Sequence, residues 1–238
     1  MPWLATPVDG WQGRVWRAIS HPVRLLAPVR FAVARVARRR FWTESVLTTP
    51  GAGPDLDMQL HHDVQTPDDG AGPLNHRSYS VRIAGATMDS AQLVEMFRLD
   101  PNAFCHAHLG IFVPDPAPLG LRVGDEVEVK ILGPWDGPVR VAEATAGRVR
   151  LETRDGHMEA GSIVFRAEEI DDLLEFTIES YARSGSLVFD TLYHRFGIAK
   201  YMQTEMWVQV LEALRAASGG TQQGRISIQT VIYEGADT

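Results

Sequence analysis

Alternating apolar and polar positions in the middle of the chain predict an antiparallel meander of five short strands. The clearest example is the stretch 126–132, in which Val127, Val129 and Ile131 alternate with charged residues. Short turns separate these alternating stretches, which favours antiparallel neighbours that share one buried face. The other four predicted strands lie at 139–144, 149–153, 163–167 and 176–182.

Two other stretches have the three- and four-residue spacing of an amphipathic helix. The first is 91–99, and Asp89 before it is a typical N-cap residue. The second is the long stretch Ser186–Ala217, whose apolar stripe includes the polar Gln203 and which ends at Ser218-Gly219-Gly220. Shorter alternating stretches predict a strand before the meander, at 79–83, and an edge strand after the helix, at 226–233.

The hairpin turn at Asp155-Gly156 decides which way one carboxylate points. A two-residue loop there would place arginine on the core face of the sheet. A three-residue loop that also includes His157 pairs Val149 with Ile163 and keeps the apolar faces of both strands together. This register turns Glu159 toward the core, where its carboxylate must be paired, hydrogen-bonded or hydrated.

Composition divides the chain into an Arg-rich helical segment (1–45), a Pro/Gly-rich linker with little structure (46–75) and a main domain (76–238). Eight arginines and no acidic residue occur within 11–42, although the whole chain has a net charge of −7. This segregation predicts docking of the basic segment onto an anionic membrane surface, an acidic protein or the chain's own acidic body. The acidic remainder of the chain disfavours nucleic acid as a partner.

The single cysteine, Cys105, has no partner for an internal disulfide, which is typical of a reducing compartment. The N-terminus lacks the pattern of a signal peptide, and no apolar stretch is long enough to span a membrane. We therefore expect a cytoplasmic protein, with peripheral membrane association as an alternative. We expect no cofactor and no metal ion, because Cys105-His106-Ala107-His108 and His61-His62-Asp63 lack convergent ligand spacing.

The order of these elements resembles the helix-grip fold of the START-like and birch-pollen-allergen superfamily. In this α+β fold a curved antiparallel sheet wraps around a long C-terminal helix and encloses a cavity. Over residues 76–233 the chain resembles a family known as a domain of unknown function, which is assigned to that superfamily. This resemblance brings no catalytic residues, and four segments carry it: Gly133–Val139, Gly156–Gly161, Phe176–Arg183 and Gln203–Trp207.

Five residues are candidates for binding a ligand: Glu159, Gln203, Tyr193, Trp207 and His157. Glu159 and Gln203 are polar residues on core-facing stripes, and in a helix-grip fold these stripes face each other across the cavity. Tyr193 and Trp207 could supply an apolar wall with hydrogen-bonding groups. A buried polar network that only fixes the fold would explain the same pattern.

These observations predict a protein that binds a small apolar or amphipathic ligand. An enzyme of the hydrolase or cyclase type is an alternative, because His157 beside Glu159 fits an acid–base pair, although no nucleophile motif accompanies it. A third alternative is an interaction protein that recruits a partner or a membrane through its basic segment. Trp135 fits a turn anchor, and Arg183 falls on the outer face of its strand.

Overall fold

The computed structural model describes residues 42–59, 61–105, 110–115, 120–131, 136–185 and 198–235. These residues form nine strands, two α-helices and two short 3-10 helices. The helices are α1 (Ser90–Leu99) and α2 (Ile198–Ala217), with 3-10 turns at Pro67–Asp69 and Pro101–Ala103. The strands are β1 (Trp42–Pro50), β2 (Ala71–Ala84), β3 (Gly110–Asp115), β4 (Glu126–Ile131), β5 (Asp136–Thr145), β6 (Arg148–Thr153), β7 (Glu159–Ile170), β8 (Leu173–Ser184) and β9 (Thr221–Glu234).

All nine strands belong to one curved, mixed sheet of order β1-β9-β2-β8-β7-β6-β5-β4-β3. The predicted meander is confirmed, because β4 to β8 pair antiparallel with their neighbours in chain order. The apolar positions of the alternating pattern lie on the face that packs against the helices. We call this the inner face, and its buried residues include Val127, Val141, Leu151, Phe165 and Ile178.

The hairpin between β6 and β7 differs from the predicted register by two residues. Val149 pairs with Phe165 and not with Ile163. An even shift leaves every side chain on its predicted face, so the inward direction of Glu159 is unchanged. The loop is longer than predicted because Arg154 leaves the hairpin and forms an isolated bridge with Val64.

The segment 46–75, predicted as a linker with little structure, contains the second half of β1 and the first part of β2. β1 pairs parallel with β9, so β9 lies between β1 and β2 and is not the edge strand that we predicted. The described residues between β1 and the first 3-10 helix, 51–59 and 61–66, cross the outer face of β5 and β6, and we call them the strap. The three-part domain division stays a prediction, and residues 1–41 lie outside the described residues.

The helix predicted over Ser186–Ala217 is described from Ile198 onward, and α2 is followed by β9 and therefore is not C-terminal. The predicted end of this helix is confirmed, because Gly219 takes a φ of 76° just after it. At α1 the predicted N-cap is also confirmed, since the Asp89 side chain accepts a hydrogen bond from the Gln92 backbone.

An aromatic cluster fills the core between the inner face and the two helices. Phe97 of α1 lies at its centre and stacks on Phe165 with ring centroids 4.4 Å apart. Phe165 in turn meets Trp207 of α2 edge to face at 5.5 Å. Each such ring contributes about 1.5–3 kcal/mol through burial of apolar surface, so this cluster holds both helices on the sheet. Its other members are Phe104, Phe112 and Phe176.

Candidate functional site

Three polar side chains meet on the inner face of the sheet, and we call them the inner polar cluster: Arg77, Glu159 and Gln203. The Gln203 amide nitrogen donates to both carboxylate oxygens of Glu159, at 3.2 and 3.4 Å. The Gln203 amide oxygen accepts a hydrogen bond from Arg77 Nη1 at 2.5 Å. Arg77 Nη1 also lies 3.7 Å from Glu159 Oε1. The cluster therefore joins β2, β7 and α2 through a charged pair and a bridging amide.

Arg77 is a member of the cluster that the sequence pattern did not reveal to us. It lies on β2 two residues before Tyr79, so both side chains point to the inner face. Its neighbours in the adjacent strands are Ser180 and Thr230, which are both buried. Arg77 could have been identified by extending the predicted strand 79–83 by two residues toward the N-terminus, because the alternation of that strand then places Arg77 on the inner face.

His157 contacts the backbone of Glu159 and not its carboxylate. Burial lowers the pKa of the His157 ring, although the negative charge of Glu159 opposes this shift. Burial thus favours the neutral ring, and its Nδ1 lies 2.9 Å from both the backbone nitrogen and the carbonyl oxygen of Glu159. The described contacts of His157 thus lie within the backbone of the hairpin, and its pairing with the Glu159 carboxylate as acid and base stays a prediction.

Trp207 lies one helical turn beyond Gln203 on the same side of α2. Its side chain is buried, and its indole Nε1 has no hydrogen-bond acceptor among the described residues. Such a donor is uncommon, because buried polar groups nearly always have a partner. On β2, Tyr79 lies two residues after Arg77 and points to the same inner face. Burial raises the pKa of its phenol. A buried aromatic residue therefore follows the polar cluster on both β2 and α2.

Only some of the other residues that the sequence analysis singled out belong to the described part of the chain. Tyr193, Trp135, His106 and His108 lie outside the described residues. Burial raises the pKa of the Cys105 thiol to about 12, so it is not a reactive thiolate. Among the described residues no group of three or more His, Cys, Asp or Glu side chains could hold a metal ion.

Two further sequence-based assignments concern the outer face. Asp63, from the His61-His62-Asp63 stretch, pairs with Arg140 and Arg154. Arg183 alternates with the buried Ala182 on β8, as predicted for an outer-face residue. Its Cβ lies next to Gly70, which packs on the outer face of the sheet.

Of the helices that the structure describes, none has the length and apolar character to cross a membrane.

Comparison with known proteins gives distant structural likenesses only. No protein-family model and no curated protein matches the chain. A hypothetical protein from Helicobacter pylori is similar at 12% identity and a TM-score of 0.46, over 68% of this chain and 99% of its own. The di-domain ARO/CYC protein StfQ of the steffimycin pathway is similar at 9% identity and a TM-score of 0.44, over 64% of this chain and 52% of its own.

A Polyketide_cyc-like protein from Corynebacterium glutamicum is similar at 14% identity and a TM-score of 0.33, over 59% of this chain and 88% of its own. All three TM-scores lie below 0.5, so these likenesses do not establish a shared fold. Membership of the helix-grip superfamily therefore stays a prediction from the sequence.

Proposed function

We propose that this chain is a helix-grip binding protein that holds a small amphipathic ligand between the inner face of its sheet and α2. The observation that carries the proposal is the buried indole N–H of Trp207, which finds no acceptor among the described residues and lies next to both the inner polar cluster and the aromatic cluster. Apolar walls with a few fixed polar groups are the usual composition of a small-molecule site.

The chemistry of these groups indicates what a ligand would offer. In the described part of the chain, the Glu159 carboxylate accepts two long hydrogen bonds from Gln203, lies 3.7 Å from Arg77 Nη1 and is partly exposed, so it can accept a further bond from a ligand hydroxyl. The indole N–H of Trp207 can donate to an oxygen of the ligand. A flat apolar body would lie against the rings of Trp207 and Phe165. We infer a ligand with a ring-containing apolar body and at least one hydroxyl group.

The test is calorimetric titration of the full chain with 2-naphthol, a bicyclic aromatic alcohol. We expect saturable binding by the wild type and an affinity about tenfold lower for Gln203→Leu, because this variant loses the amide that positions Glu159. Trp207→Phe keeps an aromatic ring but removes the indole N–H, so it should weaken binding by a similar factor.

Gln209→Leu is the matched control on the same helix, because Gln209 bonds to Glu205 within α2 and not to the inner polar cluster. Its affinity for 2-naphthol should equal that of the wild type. Near-UV circular dichroism verifies that each variant retains its packed core. A folded wild type that takes up no 2-naphthol, or equal losses in Gln203→Leu and Gln209→Leu, would contradict the proposal.

A further inference from the structure

β1 forms one end of the sheet, and in the described part of the chain only β9 pairs with it. An end strand presents a row of backbone N–H and C=O groups that can pair with another strand. The register between β1 and β9 runs without interruption from Trp42 to Pro50, so no bulge twists this edge away from solvent. The sheet therefore ends in a regular strand of nine residues.

β1 has few of the side chains that usually protect an edge, since Glu44 is its one charged residue. It contains no lysine or arginine, and its only proline is the last residue, Pro50. Val46 and Leu47 point to opposite faces, and they are 53% and 61% exposed. The opposite edge is different, because β3 has six residues and contains Pro114. Of the two edges, β1 is the one suited to pairing with another strand.

We propose that β1 is an interface for a second copy of this chain, which pairs antiparallel with β1 about a two-fold axis at Val46. In this register all nine residues find a partner, and Val46 lies opposite the partner's Val46. Thr43 lies opposite the partner's Thr49, and Glu44 lies opposite the partner's Thr48. Glu44, the only charged residue of the strand, therefore does not lie opposite the partner's Glu44. Val46 and Thr43 each face a β-branched residue of the partner, and such pairs stabilise antiparallel strands.

A second copy fits this edge because the strand is complementary to itself, as a two-fold interface requires. Pairing would join two sheets into one continuous sheet and would cover Val46 and Leu47 in both chains. A single pair of strands buries less than the roughly 1,600 Å² of a standard interface, so we expect a weak dimer whose population depends on concentration.

The first test is sedimentation velocity of the full chain over a series of concentrations. We expect reversible dimerisation of the wild type and a dissociation constant at least about tenfold higher for Val46→Lys, because two ammonium groups would meet at the axis. Val123→Lys is the matched control, since Val123 is a similarly exposed valine in the turn before β4. An equimolar mixture of Val46→Lys and Val46→Glu should dimerise again.

The second test uses disulfide formation. Val46→Cys should form a covalent dimer on oxidation at protein concentrations at which Val123→Cys remains monomeric, and the native Cys105 does not interfere because it is buried. A wild type that is monomeric at every concentration would overturn the proposal. A dimer that survives Val46→Lys, or equal cross-linking of both cysteine variants, would overturn it too.

Discussion

Arg77 places a positive charge inside the molecule, and Glu159 and Gln203 compensate for it. The Arg77 side chain is 5% exposed, whereas that of Glu159 is 22% exposed. Removing an ionised group from water costs several kcal/mol unless it is paired and hydrogen-bonded. The bridging amide of Gln203 supplies this compensation from the helix, so the cluster also fixes how α2 lies on β2.

We expect Arg77→Met to lower the free energy of unfolding by about 2–3 kcal/mol, because it leaves Glu159 and Gln203 without their cationic partner. Chemical denaturation measures this difference. Arg82→Met is the control in the same strand. Arg82 pairs with Glu175 but is 58% exposed, so its loss should cost less than about 1 kcal/mol. Equal losses in both variants would show that the buried pair has no special role.

The β6–β7 hairpin is the element that directs Glu159 inward. Its two strands are joined near the turn by Thr153, whose hydroxyl oxygen accepts a hydrogen bond from the Gly161 N–H at 2.8 Å. Gly161 takes a φ of 154°, and a Cβ there would lie 2.0 Å from the Tyr181 carbonyl oxygen. Only glycine lets β8 approach this closely two residues after Glu159.

Gly161→Ala should therefore lower the free energy of unfolding by about 2–4 kcal/mol, since the added methyl group forces β7 and β8 apart. Gly147→Ala is the matched control, because a Cβ at Gly147 meets no atom within 4 Å. Its effect should stay within about 1 kcal/mol. Thermal denaturation of both variants measures the difference, and a Gly161→Ala variant as stable as the wild type would contradict this account of the hairpin.

The strap connects parts of the molecule that are far apart in the sequence. Asp63 pairs with Arg140 and Arg154, which come from β5 and from the hairpin loop after β6. The Arg154 hydrogen bond, assisted by Arg140, lowers the pKa of Asp63 to about 2. Gln65 adds a backbone bond to Thr153 at 2.8 Å. The strap therefore stabilises the outer face through charge as well as through backbone pairing.

The lowered pKa of Asp63 predicts how stability depends on pH. Its stabilising effect is fully present above the ordinary aspartate pKa of about 3.9 and is lost as the pH falls toward about 2. At pH 7 we expect Asp63→Asn to lower the free energy of unfolding by roughly 1–2 kcal/mol, and this difference should shrink between about pH 4 and pH 2. Urea denaturation at each pH measures it.

Asp155→Asn provides the control, because Asp155 is an exposed turn residue near the same hairpin. Its effect on the free energy of unfolding should be small and should not follow the Asp63→Asn profile. A gap between the wild type and Asp63→Asn that stays constant down to pH 2 would contradict an ionic role for Asp63.

Local patterns were sufficient to predict the meander, α1 and the inward direction of Glu159. An alternating strand with one buried face can be read from its own residues, as β4 and β6 show. β1 could not be found in this way, because its residues 43–48 are exposed and carry no alternation. The parallel pairing of β1 with β9 joins residues that are nearly 200 positions apart, and no local pattern encodes such a contact.

By itself, the sequence determined which faces of β7 and α2 carry the polar residues Glu159 and Gln203, because side-chain direction follows from the periods of strand and helix. Only the tertiary structure decided that these two side chains meet, that Arg77 joins them and that His157 turns to the backbone. The physical reason is that a buried charge must find its partner wherever the folded chain brings one, and partners from β2, β7 and α2 come together only after the helix packs on the sheet.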